Sequence, residues 1–180
     1  ADTPGADYST GKISLFLVSL SGTLYTVAQA TTFGAITLRQ STNNGTTWTD
    51  ATGGSLTSVA APRALIKWRN ASGTVQLYVF LQEGIYRYTG SAFVQEVDFR
   101  GNLDTNNGIF PVIWRIPDTD TDLLITPQGM NLWAFSWRDD GNLRPRNISP
   151  LYNGTLPLFR TGRILALATS NRFLWAAIAG

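Results

Sequence analysis

The sequence predicts an all-β protein built from repeated four-stranded antiparallel sheets, and three observations predict it. Four short apolar segments of similar shape recur at intervals of about 50 residues. Clusters of Gly, Asn, Pro, Asp and Ser bracket them and supply the backbone angles of tight reversals. No stretch sustains the 3.6-residue period of an amphipathic helix.

Composition agrees. The chain has 180 residues, enough for a real core. Hydrophobic residues make up 43% and charged residues 14%, against about 25% charged in an ordinary globular domain. Surface polarity therefore rests on Thr, Ser, Asn and Gly, which favour short strands and turns.

The elements repeat in order. The recurring segments are residues 23–28, 76–81, 122–126 and 173–178, anchored on Leu24, Leu77, Leu123 and Leu174. An apolar strand precedes each, at 13–18, 64–68, 111–115 and 163–168, joined to it by a turn. A third strand follows at 35–40, 84–88 and 131–137. A fourth is expected at 46–49, 92–97 and 142–148, with linkers at 51–62, 98–109 and 149–162.

Such meanders are the blades of a β-propeller, which leaves only short, protected sheet edges. The expected organisation is an N-terminal extension at 1–11 and blades at 12–50, 63–97 and 110–148. The first half of a fourth blade takes 163–180, giving about 3.5 blades, a partial ring. A β-sandwich also has frequent turns, but the matched order of strands and turns favours blades. The remainder of the ring is expected from further blades of the same longer chain or from another subunit.

Charge narrows the partners. The net charge is +2, and the basic residues are scattered, with Arg144 and Arg146 the one close pair. A nucleic-acid surface needs a basic cluster or stripe, so no nucleic-acid partner is expected. No apolar run approaches the ~18 residues of a membrane helix, so no membrane insertion is expected. Residues 1–10 are polar and lack the basic-then-apolar pattern of a leader. The Asn-x-Ser/Thr matches at Asn44, Asn70, Asn147 and Asn153 carry little weight in so Asn- and Thr-rich a chain.

Residues 41–48, Ser-Thr-Asn-Asn-Gly-Thr-Thr-Trp, resemble the Asp-box, or BNR repeat. That pattern reads Ser/Thr-x-Asp-x-Gly-x-x-aromatic and occupies the turn between the third and fourth strands of a blade. Ser41, Gly45 and Trp48 match it, and Asn43 stands where Asp is usual. A degraded version has Asp139 and Gly141 in place, but Trp137 and Arg144 depart from the pattern. The resemblance implies two kinds of protein. One is the secreted glycosidases, such as sialidases and endoglucanases. The other is secreted, surface or phage-tail propellers that bind or build. In both, the resemblance implies a structural box lying away from any active site.

Catalytic chemistry is hard to place. The chain has no His and no Cys, which excludes Ser-His-Asp, Cys-His and the usual zinc arrangements within it. A glycosidase needs two carboxylates across a sugar bond. Glu83, Glu96, Asp98 and Asp104 read instead as solvated turn carboxylates. A sialidase-like site would want an arginine cluster, for which Arg63, Arg115 and Arg163 are candidates by position. Asp118-Thr-Asp-Thr-Asp122 lacks the Gly and the closing Glu of an EF-hand and reads as a hairpin, not a metal site. No cofactor is expected. Of the aromatics, Tyr86, Tyr88 and Tyr152 are the candidates for exposed contacts, and a glycan is the candidate ligand. The expectation is a non-enzymatic propeller module of an extracellular or virion surface protein, scaffold or binder. The alternative is part of a secreted glycoside hydrolase of sialidase-like or endoglucanase-like type.

Overall fold

A computed structural model of the chain describes residues 13–29, 34–57, 62–81, 83–99, 111–116, 119, 121–128, 131–149, 151–152, 156–157, 164–170 and 172–178. The expected extension at 1–11 lies outside them, as does Arg163. Among the described residues every regular element is a strand.

Three sheets are four-stranded antiparallel meanders in chain order. Sheet 1 is β1 (Ile13–Leu20), β2 (Thr23–Gln29), β3 (Ile36–Ser41) and β4 (Thr49–Leu56). Sheet 2 is β5 (Ala64–Arg69), β6 (Val75–Phe80), β7 (Gly84–Tyr88) and β8 (Phe93–Asp98). Sheet 3 is β9 (Val112–Arg115), β10 (Asp122–Gln128), β11 (Asn131–Trp137) and β12 (Leu143–Asn147). A small hairpin pairs β13 (Leu151–Tyr152) with β14 (Leu156–Pro157). Sheet 4 pairs β15 (Ile164–Thr169) with β16 (Leu174–Ile178). The chain divides into two compact units, one holding sheets 1 and 2 and the other the later sheets.

Within the first unit, two sheets share one core. Val27, Ile36, Leu38 and Ala51 of sheet 1 cluster with Leu65, Leu77, Val79, Leu81 and Tyr88 of sheet 2. Strand alternation puts Val27 and Leu38, a cross-strand pair, on one face of sheet 1. We call this the rear face. Leu77 and Val79 lie on one face of β6, the front of sheet 2. The second unit repeats the relation. Ile125, Leu132 and Ala134 on the rear of sheet 3 cluster with Ile164, and Leu167, Leu174 and Ala176 of sheet 4 pack against them.

Hydrogen bonds repeat with the packing. Lys67 Nζ of β5 donates to the Ser19 carbonyl of β1 at 3.2 Å. Thr169 Oγ1 of β15 donates to the Ile113 carbonyl of β9 at 3.2 Å. In each case the first strand of one sheet reaches the first strand of the sheet before it.

Three details differ from the sequence expectation. The fourth strand of sheet 1 lies at Thr49–Leu56, not at 46–49, and runs through residues expected as linker. Its register jumps between Thr37 and Arg39, so Ala51–Gly54 bulge out of the ladder. The hairpin β13–β14 also falls inside an expected linker. Finally, sheet 3 presents Ile125 rearward and pairs it with Ala134. Leu124, not Leu123, is therefore the face-equivalent of Leu24 and Leu77.

The bulge of sheet 1 docks on sheet 2. Ala51 enters the shared core. The Tyr88 hydroxyl donates to the Thr52 carbonyl at 2.7 Å and reaches the Gly90 carbonyl at 3.0 Å. Gly53 has φ +60, and a Cβ there would come within 1.7 Å of the Ser91 carbonyl oxygen. Only glycine fits so close an approach in that conformation.

Candidate functional site

The loop between β3 and β4 is fastened by two side chains. Ser41, 2% exposed, accepts from the Gly45 amide at 2.9 Å through Oγ and donates to Asn43 Oδ1 at 2.8 Å. Asn43 Oδ1 also accepts from the Thr47 amide at 2.9 Å, while its Nδ2 donates to Thr47 Oγ1 at 2.8 Å. Asn44 and Gly45 both take positive φ, 56 and 85. Such angles suit Asn and Gly and are costly elsewhere. Trp48 lies over Gly45, whose added Cβ would sit 3.8 Å from the indole and from Leu24 Cδ1. Arg39 Nη2 donates to the Trp48 carbonyl at 3.0 Å and its Nε pairs with Asp50 at 3.3 Å. Ser41, Asn43, Gly45 and Trp48 thus form one closed turn whose polar groups satisfy each other.

The turn between β11 and β12 is looser. Gly141 has φ 80 and its amide donates to the Arg138 carbonyl at 3.0 Å. The acceptor that closes this turn is Asp140, whose Oδ1 takes the Asn142 amide at 3.0 Å. That backbone hydrogen bond, with help from the Asn142 side chain and Arg138, lowers the Asp140 pKa. Asp139 sits beside it, exposed. Sequence reasoning singled out Asp139 and missed Asp140, because a pattern with one fixed Asp cannot tell neighbouring carboxylates apart.

Around this turn runs an open groove of about 450 Å³, lined by Ser136, Trp137, Arg138, Asp139, Asp140 and Arg144. An indole with carboxylates and guanidinium groups at one groove can pack an apolar sugar face and hydrogen-bond its hydroxyls. Sequence reasoning had grouped Trp137, Asp139 and Arg144 in the degraded box but not as a groove; Arg144 comes beside the contiguous Ser136–Asp140 through its cross-strand pairing with Ser136.

The remaining predicted residues do not gather. Tyr88 is 6% exposed and its hydroxyl is committed to Thr52 and Gly90. Its expected exposure is corrected: the position faces the core shared with sheet 1. Tyr86 is half-buried against the same core. Arg63 is half-buried before β5, its amide bonded to the Phe80 carbonyl at 2.7 Å. Arg115 is exposed at the end of β9, opposite Asp122. The Tyr152 side chain and Arg163 lie outside the described residues.

Two carboxylates, one of them Glu96 from the set weighed for catalysis, have structural partners. Glu96 pairs with Arg87, which also donates to Gln76 Oε1 at 3.1 Å. Asp50 pairs with Arg39. Each belongs to a cross-strand ladder within one sheet. No protein-family model, no curated protein and no solved structure matches the chain.

Proposed function

We propose that the chain is a β-propeller module of an extracellular or virion surface protein, working as a scaffold or binder and not as an enzyme. One observation carries the reading: antiparallel sheets stack rear face to front face, a meander on a meander in one unit and a meander on a two-stranded sheet in the other. Within each unit one sheet covers a face of the next, and this relation continued in series is the arrangement of blades. The turn at Ser41–Trp48 adds support, since its mutual hydrogen bonds suit a structural Asp-box-like turn. The low charge and Thr- and Asn-rich surface favour an exterior setting.

The groove at Trp137 is the binding surface this reading assigns, with a glycan as ligand. The test is a glycan array probed with the protein and with Trp137→Ala, alongside hydrolysis assays on every glycan retained. Retention that is lost in the variant, without turnover, is expected. Turnover of a retained glycoside would overturn the non-enzymatic reading, and Trp137-independent retention would overturn the groove.

A further inference from the structure

We infer that the groove at Trp137 takes an acidic oligosaccharide, and that Arg144 and Arg146 of β12 hold its carboxylate or sulfate groups. The inference rests on the glycan reading above and names the ligand class.

The third and fourth strands of sheets 1 and 2 are tied by an ion pair. Arg39 of β3 meets Asp50 of β4, and Arg87 of β7 meets Glu96 of β8. Sheet 3 breaks this repeat. Its fourth strand carries arginines, and the register sets Arg144 opposite Ser136 and Arg146 opposite Ala134. Among the described residues neither guanidinium has a carboxylate partner. Both side chains are exposed. Charge on an edge strand also blunts pairing with other sheets. The equivalent edges β4 and β8 do this with a carboxylate that is already paired, so edge protection does not call for two unpaired like charges.

Strand alternation puts Arg144 and Arg146 on the same face of β12, about 7 Å apart along the strand. Two guanidinium groups at that distance repel. An anion seated between them relieves the repulsion and accepts paired hydrogen bonds from either fork. Arg144 lines the groove together with Arg138. Of the two carboxylates there, Asp140 is held by its own turn: Oδ1 takes the Asn142 amide and Oδ2 lies 3.9 Å from Arg138. The chain shares the bias from this turn onward. All 12 acidic residues precede Gly141, and five arginines follow it. Charge of one sign concentrated in this way draws anions. A nucleic acid is the other common polyanion, but it asks for a longer basic stripe than two neighbouring positions on one strand.

Biolayer interferometry on oligogalacturonate, sulfated dextran and unmodified dextran tests the inference, with a thymidine oligonucleotide as the nucleic-acid probe. Retention of the carboxylated or the sulfated chain well above dextran is expected, and the two probes tell which anion is preferred. The double variant Arg144→Gln with Arg146→Gln, its circular dichroism spectrum unchanged, is expected to weaken that retention about tenfold or more. Arg172→Gln, an exposed charge on the β15–β16 turn, is expected to weaken it about twofold at most. Equal retention of dextran and the acidic chains, or acidic retention unchanged in the double variant, overturns the inference. If such retention still falls with Trp137→Ala, the glycan groove stands without it. An equal loss in Arg172→Gln, or tighter binding of the oligonucleotide than of either acidic chain, also overturns the inference. Retention of no glycan at all overturns both the inference and the groove reading.

Discussion

Tyr78 and Trp175 occupy the same rear-face position in two sheets, yet Tyr78 is fully buried and Trp175 is 61% exposed. The strand pattern alone therefore does not fix burial at this position. The phenol of Tyr78 is buried without a hydrogen-bond partner among the described residues and packs 5.4 Å from the Trp68 ring.

Tyr78→Phe removes an unpaired buried hydroxyl. It is expected to be neutral or stabilising by up to about 1 kcal/mol. Urea unfolding checks this, with the midpoint unchanged or raised and the slope constant.

Tyr88→Phe should do the opposite. Its hydroxyl ties sheet 2 to the Thr52 carbonyl of the sheet 1 bulge. Loss of that bond leaves a carbonyl short of its donor and is expected to cost about 1–2 kcal/mol in the same assay.

Alkaline pH should weaken the fold. Burial raises the Tyr78 pKa, with Arg87 pulling it down and Glu96 pushing it up. Burial, with Tyr25 adding to it, raises that of Tyr88. Both phenols stay protonated in the folded chain where the unfolded chain has lost the proton. Their contribution is complete below about pH 10, the ordinary tyrosine value, and falls as pH rises through the raised folded values. Tyr78→Phe should flatten this alkaline limb, measured as unfolding free energy against pH.

Gly53→Ala forces a Cβ against the Ser91 carbonyl at a positive φ. A loss of more than about 2 kcal/mol is expected. Gly22→Ala, also at positive φ but with no atom within 4 Å of its Cβ, should cost only about 1 kcal/mol. The difference in thermal midpoint between the two isolates the docking contact from backbone strain.

Ser41→Ala removes the acceptor of the Gly45 amide and the donor to Asn43. About 1–2 kcal/mol should be lost, whereas exposed Thr42→Ala should change little. Matched urea titrations separate the two.

Strand order was largely legible because apolar runs and turn residues alternate along the chain. The failures have physical causes. Asp50-Ala-Thr-Gly-Gly-Ser55 has Thr52 as its one β-former beside two glycines, so β4 looked like linker; what holds it is tertiary, through Ala51 and Tyr88. Leu123 and Leu124 are both apolar, and only the packing shows which faces rearward. Tyr88 looked suited to an exposed contact because Tyr is amphipathic, but its hydroxyl finds a buried carbonyl one sheet away. Of the candidate groove, Trp137, Asp139 and Arg144 were visible in sequence as members of one degraded turn motif, but their joining into a groove was not, since it depends on the strand pairing that sets Arg144 opposite Ser136.

Electron cryomicroscopy of the native assembled protein tests the central claim most directly. The account predicts sheets arranged radially, rear face to front face, with β1, β5, β9 and β15 innermost about a common axis. Two sheets closed on each other as a sandwich, or first strands placed at the periphery, would contradict it.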